Sequence, residues 1–327
     1  MKIAVILTSY NHAKYIVEAL DGIRTQYRMP DEVVVADDAS TDNTQEIIKD
    51  YFNKYNLNSK WTLLLNAKNK GINGNFQNAL ENTTSEVVIG MAGDDISFPN
   101  RCEVTEKLFN ENQDVSIIVT SGVKIDPLGN YLGNVSEVNG MVYSNVMDAI
   151  KLGYPGVRPV GQAIKREVFN FFGPLPCDVP NEDDQLSFRG LILGGILASS
   201  IVTYSYRIHS SSASSWLRDY GHKKSGEFVD LLIENMELRR RHFCHWLEII
   251  KKTNRLDKEI LISRINKKIY LYEILSEAKK IAFTKKILFA TANYQILSYR
   301  EFFYLLGGRS GIFLWRQLKM IFKKNGQ

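Results

Sequence analysis

Three cysteines in 327 residues, Cys102, Cys177 and Cys244, stand far apart and are odd in number. They form neither a disulfide framework nor a metal-ligand spacing, and their scarcity suits a reducing compartment. No run of 18 uncharged apolar residues occurs, so a membrane-spanning helix is not expected. The opening "MKIAVILTSYN" is too short and wrongly flanked for a signal peptide and reads as a first strand. No internal repeat is evident, and proline is absent after Pro180. The dinucleotide fingerprint is missing after the first strand, where the chain reads "TSYNHAKY". "GINGNF" (71–76) lacks the last glycine of that fingerprint and the Lys-Ser/Thr of a phosphate-binding P-loop. Nucleic acid is an unattractive partner, because the basic residues lie in the C-terminal third without a zinc-finger pattern or an aromatic platform motif.

What remains is ordinary globular composition, 44% apolar and 24% charged, in a chain long enough for a large α/β domain with an appendix. The net charge of +5 is unevenly distributed: residues 1–215 carry −7 and residues 216–327 carry +12. The first part repels an anion unless a metal intervenes, whereas the second suits an anionic surface.

Short β-branched runs alternate with helical periodicity in the first third. "IAVILT" (3–8), "EVVVA" (32–36), "WTLLL" (61–65) and "EVVIGM" (86–91) read as strands. Helices are expected over 12–26, 43–55, the segment ending near Glu81, and 101–112. The side chains of "STDN" are expected to cap the second helix. Strands apolar on both faces and separated by helices imply a mostly parallel sheet covered on both sides. A further strand is expected over 115–125. The stretch 130–180 is irregular, with "GYPGVRPVGQAIKREVF" a loop entering a helix. "NEDDQLSFRGLILGG" (181–195) reads as a helix with acids in its first turn, where the helix dipole favours them, and 198–209 as a strand. From Glu227 the periodicity is helical throughout.

A parallel sheet binds ligands at the carboxyl ends of its strands. Here those ends carry Thr8, Ser9, Tyr10 and Asn11, then Asp37 and Asp38, then Asp94 and Asp95. One aspartate after a strand is commonly a cap or turn residue. Several on one edge make sense if a divalent cation joins them to a substrate diphosphate.

The ordered set "TSYNHAKYIVEALDGIRTQ", "VVVADDASTDNT", "NKGINGNFQNAL", "GMAGDDISFP", "NEDDQLSFR" and "YRIHSSSAS" resembles the family-2 glycosyltransferases of the GT-A fold over residues 1–215. The resemblance implies a Rossmann-like, mostly parallel α/β sheet with a C-terminal all-helical extension. It divides the chain into a nucleotide-binding half (1–100), an acceptor-binding half (101–215) and a basic helical extension (216–327). Thr8, Tyr10, Asn11 and Asp38 then correspond to the nucleotide cradle, with Asp37 positioning that loop, and Gly71, Asn75 and Asn78 near the nucleotide pocket. Asp94 matches the last acid of the family's D-x-D motif, whose first acid is replaced here by Ala92. Asp94 and His209 become ligands of Mn2+ or Mg2+, and Asp95 braces the turn or binds through water. Among "NEDD", Asp183 is the expected base, Asp184 the fallback, and Glu182 orients the acceptor or loop.

The implied activity is inverting transfer of a hexose or N-acetylhexosamine from a UDP-sugar (or dTDP-sugar) to a glycan hydroxyl in surface polysaccharide, such as lipopolysaccharide O-antigen or capsule. The acceptor expected by resemblance is a glycan, with a polyprenyl-diphosphate-linked form as one option. The basic, aromatic-rich tail points to a cytoplasmic protein peripheral on the inner face of the cell membrane, to packing on the catalytic domain, or to a homodimer. A degenerate sugar-binding scaffold remains an alternative because of Ala92. A nucleotidyltransferase is disfavoured because the basic glycine-rich N-terminal triphosphate loop is missing.

Overall fold

The computed structural model describes residues 1–135, 142–143, 145–155, 161–176, 178–179, 182–210 and 225–276. Its contacts divide the chain into two units, Met1–Asn145 with Pro155–Ser215, and Val146–Tyr154 with Trp216–Gln327.

The first unit begins with alternating elements: β1 (Ile3–Ser9), α1 (Ile16–Arg24), β2 (Glu32–Asp37), α2 (Thr44–Lys54), β3 (Thr62–Leu65), α3 (Gly71–Leu80) and β4 (Val87–Ala92). These strands lie in the order β3-β2-β1-β4, all parallel. The parallel crossovers need helices, and the helices cover both faces. Ile3, Val5 and Leu7 of β1 join one core cluster with Ile16, Leu20 and Ile23 of α1 and Ile48 and Phe52 of α2. The alternate residues Ala4 and Ile6 are equally buried. Ile6 is in register with Gly90, whose absent side chain leaves room for the Phe76 ring of α3. Burial on both faces is why these strands read as continuous apolar runs rather than alternating ones.

Beyond β4 the unit continues through β5 (Ile96–Ser97), α4 (Arg101–Glu111), β6 (Ile117–Ile125), β7 (Tyr131–Asn134) and β8 (Val142–Tyr143). After Pro155 come β9 (Gln162–Lys165), α6 (Arg166–Phe172), α7 (Glu182–Leu193) and β10 (Ile196–Arg207). The sheet extends as β4-β9-β6-β10-β5, with β7 on β6 and β8 on β10. Here only β6 and β10 pair in parallel; β9 runs antiparallel between β4 and β6. The segment expected as a loop before a helix thus holds a central strand. Its four residues are too few, and too mixed in polarity, to give a periodic signal.

Asn43, at the cap position of α2, makes no side-chain cap bond; Asp42 instead accepts the Thr44 N–H at 3.0 Å.

The second unit contains α5 (Val146–Leu152), α8 (Ser225–Lys251) and α9 (Lys258–Ser276). Phe243, Trp246 and Tyr272 pack as a buried aromatic cluster, with ring centroids 5.2 Å and 5.7 Å from Phe243. "RRRHFCHW" and "INKKIYLY" fall in α8 and α9, whereas "AKKIAFTKKILF" and "WRQLKMIFKK" lie outside the described residues. Among the described residues no helix is long and apolar enough to cross a membrane.

Candidate active site

The strand order reverses about β1: the chain winds outward to β2 and β3, then returns to place β4 on the other side. Crevices of this kind form at the carboxyl ends of the strands flanking the reversal. Thr8 is in register with Ala36 on one side and Ala92 on the other, which brings three acid- or hydroxyl-bearing loops to one edge.

At the end of β2 the polar groups are held by a dense hydrogen-bond network. Buried Asp37 accepts from the hydroxyls of Ser9 (2.8 Å) and Ser40 (2.6 Å), the Ser40 N–H (2.9 Å) and Gln45 Nε2 (2.7 Å). Asp38, also buried, accepts on Oδ1 from Asn66 Nδ2 at 3.0 Å and the Lys70 N–H at 2.8 Å. Asn66 is the hub: it also donates to Asn75 Oδ1 at 2.9 Å and accepts from Asn78 Nδ2 at 3.0 Å. Asn75 completes the chain by donating to the Ala36 carbonyl at 3.0 Å. Both amide atoms of Asn75 are therefore engaged inside the fold, a supporting placement behind the crevice.

Asn11 has φ +57° and accepts from the Thr41 N–H and hydroxyl, tying the first loop to the second. Thr8 is half-buried, while Tyr10 and Gly71 are exposed.

The end of β4 has a different character. Asp94 Oδ2 lies 2.9 Å from His209 Nε2 and 3.8 Å from His12 Nε2. Burial pushes the Asp94 carboxyl up, but the His209 hydrogen bond and the two imidazoles outweigh it and leave its pKa below the usual value. His12 is lowered by burial, with Asp94 opposing. Gly93 makes this approach possible: a Cβ there would stand 2.9 Å from His12 Nδ1. Asp95 points elsewhere, its Oδ1 accepting the Arg207 N–H at 2.9 Å. Burial first, then the neighbouring Asp94 charge, push the Asp95 carboxyl well above the carboxylate range.

Glu182, Asp183 and Asp184 occupy the first turn of α7. Burial, followed by Glu182, Asp184 and Asp95, drives the Asp183 carboxyl well above its ordinary value. Burial and Asp184 push Glu182 up to about 7. Tyr204 of β10 is buried in a slot that two glycines create. A Cβ at Gly122 would fall 2.4 Å from its ring, and one at Gly161 2.3 Å. Farther along α7, Arg189 donates to the carbonyls of Gly173 (2.6 Å) and Pro174 (2.8 Å) and so ties the helix to the segment that follows α6.

His12, Asn66, Tyr204 and Arg207 carry much of this geometry and were not foreseen from sequence. His12 had the weak signal of its place in the polar turn after β1, and Arg207 that of a charge at the end of an apolar strand.

Among the described residues no three His, Cys, Asp or Glu side chains are grouped to hold a metal. Asp94 and His209 nevertheless present one carboxylate and one imidazole together, a mixed donor pair that suits Mn2+ better than the oxygen-preferring Mg2+. His12 Nδ1 is buried without a hydrogen-bond partner among the described residues. These groups fit a cation that takes two protein donors and completes its shell from a diphosphate and water.

Residues 4–172 match the family described as Glycosyl transferase family 2. The chain belongs to glycosyl transferase family 2. Relatives include EpsE of Bacillus subtilis (strain 168), whose name describes a glycosyltransferase. It is 30% identical over 128 residues, 39% of this chain and 45% of that protein. The poly(ribitol-phosphate) beta-N-acetylglucosaminyltransferase TarS of Staphylococcus aureus (strain Mu50 / ATCC 700699) is 36% identical over 127 residues, 38% of this chain and 22% of TarS. The chain thus matches less than half the length of either relative. The crystal structure of S. aureus TarS 1–349 superposes with a TM-score of 0.60 at 16% identity, covering 97% of this chain and 92% of that one. That likeness extends the shared GT-A fold beyond the segment matched by the family.

Proposed function

We propose that this chain is an inverting glycosyltransferase that moves a hexose or N-acetylhexosamine from a UDP-sugar to a glycan hydroxyl in surface-polysaccharide synthesis. The observation that carries the reading is the polar edge at the carboxyl end of β1, flanked by the Asp37–Asp38 network at the end of β2 and the Asp94–His209 pair after β4. Related folds have been solved in complex with UDP-GlcNAc (TarS, TM-score 0.55) and with GDP-Man and Mn2+ (the Pyrobaculum calidifontis mannosyltransferase, TM-score 0.51).

In this reading residues 1–100 hold the nucleotide and 101–215 the acceptor. Thr8, Tyr10 and Asp38 line the nucleotide, Asp38 being fixed by Asn66 and the Lys70 N–H. Asp183 takes the proton of the acceptor hydroxyl as that oxygen bonds to the anomeric carbon, and the bond from that carbon to the diphosphate oxygen breaks. A raised carboxyl is a stronger base once ionised. Asp94 and His209 would hold Mn2+ or Mg2+, and such a cation would supply charge stabilisation for the diphosphate leaving group. Glu182 and Asp184 shape the acceptor side.

The +12 charge of residues 216–327 supports a peripheral position on an anionic inner-membrane surface. Failure to bind anionic liposomes at physiological salt would remove that placement.

The test of activity is release of UDP from a panel of UDP-sugars with Mn2+ and glycan acceptors, with the product's anomeric configuration read by NMR. Inverted product supports the reading. Metal-dependent nucleotide binding without turnover on any acceptor would favour the sugar-binding scaffold, the alternative kept open by Ala92.

A further inference from the structure

His209 lies two residues beyond the end of β10, and the sheet alone does not fix it. The backbone is anchored by the Ile208 N–H on the Ile125 carbonyl at 2.8 Å. Further support comes from Arg207, two residues earlier. Arg207 is 1% exposed, and a buried guanidinium is expensive unless its donors are matched. Here they reach three separate segments. Nε donates to the Asp94 carbonyl at 3.0 Å, Nη1 to the Pro127 carbonyl at 3.2 Å, and Nη2 to Glu18 Oε2 at 2.8 Å. The guanidinium lies 4.7 Å from the Tyr15 ring centre, and that same ring lies 5.0 Å from the His209 imidazole. The Arg207 N–H meanwhile holds Asp95 Oδ1.

One residue therefore grips the backbone of Asp94, the side chain of Asp95 and, through Tyr15, the flank of His209. We propose that Arg207 is the positioning residue of this site, and that its ion pair with Glu18 and its stacking on Tyr15 set the Asp94–His209 pair for diphosphate and metal. The proposal rests on the reading of Asp94 and His209 as metal-binding groups. Arginine is required because a lysine ammonium offers one point of charge, whereas the fork donates in three directions while its carbon lies over the Tyr15 ring. Glu18 is half exposed, yet its carboxylate decides the orientation of a group buried behind it.

The test measures Mn2+-dependent UDP binding by calorimetry, and the His209 imidazole signals of the metal-free protein by NMR. Glu18→Gln and Arg207→Lys are compared with Asp94→Ala and His209→Ala. Glu18→Gln, at an exposed position, keeps the comparison valid if Arg207→Lys fails to fold. Glu18→Gln is expected to shift the His209 signals and to weaken Mn2+-dependent UDP binding about tenfold, while UDP binding without metal stays unchanged. Glu18→Asp, which keeps the charge, is expected to restore part of the loss. If Asp94→Ala and His209→Ala abolish the metal dependence but Glu18→Gln changes neither readout, the positioning role is overturned. If Asp94→Ala and His209→Ala leave metal dependence intact, the underlying metal-site reading falls, and the proposal with it.

Discussion

The two aspartate pairs at the sheet edge, Asp37–Asp38 after β2 and Asp94–Asp95 after β4, have the same sequence signature and opposite physics. The first pair is satisfied: six hydrogen bonds, four to Asp37 and two to Asp38, come from hydroxyls, amides and backbone N–H groups. The second pair is divided between opposite environments. Asp94 is held down by two imidazoles, Asp95 is driven up by burial and Asp94, and Asp183 is driven up by burial and a group of acids that includes Asp95. A network of matched donors builds a rigid wall. Crowded carboxylates are an unfavourable arrangement in the free protein, and such strain concentrates where a ligand or a reacting proton relieves it.

The contrast can be broken from either side. The largest stability effect is expected at the satisfied pair. Asp37→Ala strands the Ser9, Ser40 and Gln45 donors and is expected to lower unfolding free energy by about 3 kcal/mol, read from the denaturant midpoint. Asp94→Ala removes a carboxylate that His209 and His12 hold below its ordinary pKa, so it is expected to cost some stability at neutral pH, less than Asp37→Ala, and to remove the Mn2+ dependence of UDP binding; unchanged metal affinity would take Asp94 out of the site.

The remaining effects follow pH. Asp183 accepts a proton only when ionised, so kcat/KM for transfer rises with pH through a limb displaced above the carboxylate range. Asp184→Asn removes one of the neighbouring charges that raise it and is expected to move that limb to lower pH. Stability runs the other way. A carboxyl raised by folding binds its proton more tightly in the native state than in the unfolded chain. Its ionisation therefore costs stability progressively above the unfolded pKa of about 4, in full above the folded pKa. Asp183→Asn is accordingly expected to melt a few degrees higher than the parent at pH 8, and at the same temperature at pH 4. Equal melting at both pH values would mean that Asp183 is not strained.

The parallel half was legible because β1 to β4 bury both faces and leave unbroken apolar runs between periodic helices. The other half was not. β9 has four residues, β5 and β8 two each, and their pairing is decided by partners far along the chain. Asp37, Asp38, Asp94 and Asp95 of the candidate site stand out in sequence because strand ends are marked by abrupt changes in polarity, whereas Asp183 is singled out only through the family resemblance. Their supports do not stand out: Arg207 meets Asp94 and Asp95 across more than 100 residues, and the Tyr204 slot exists only because Gly122 and Gly161 come together around it. Such roles belong to the fold rather than to any local pattern.

The central claim, that Asp183 is the base of an inverting transfer, is tested most directly by measuring donor binding and UDP release of Asp183→Asn in parallel with the parent protein. The expected result is a loss of transfer by about a thousandfold with UDP affinity in Mn2+ nearly unchanged. Transfer near the parental rate in a folded, donor-binding Asp183→Asn protein would contradict it.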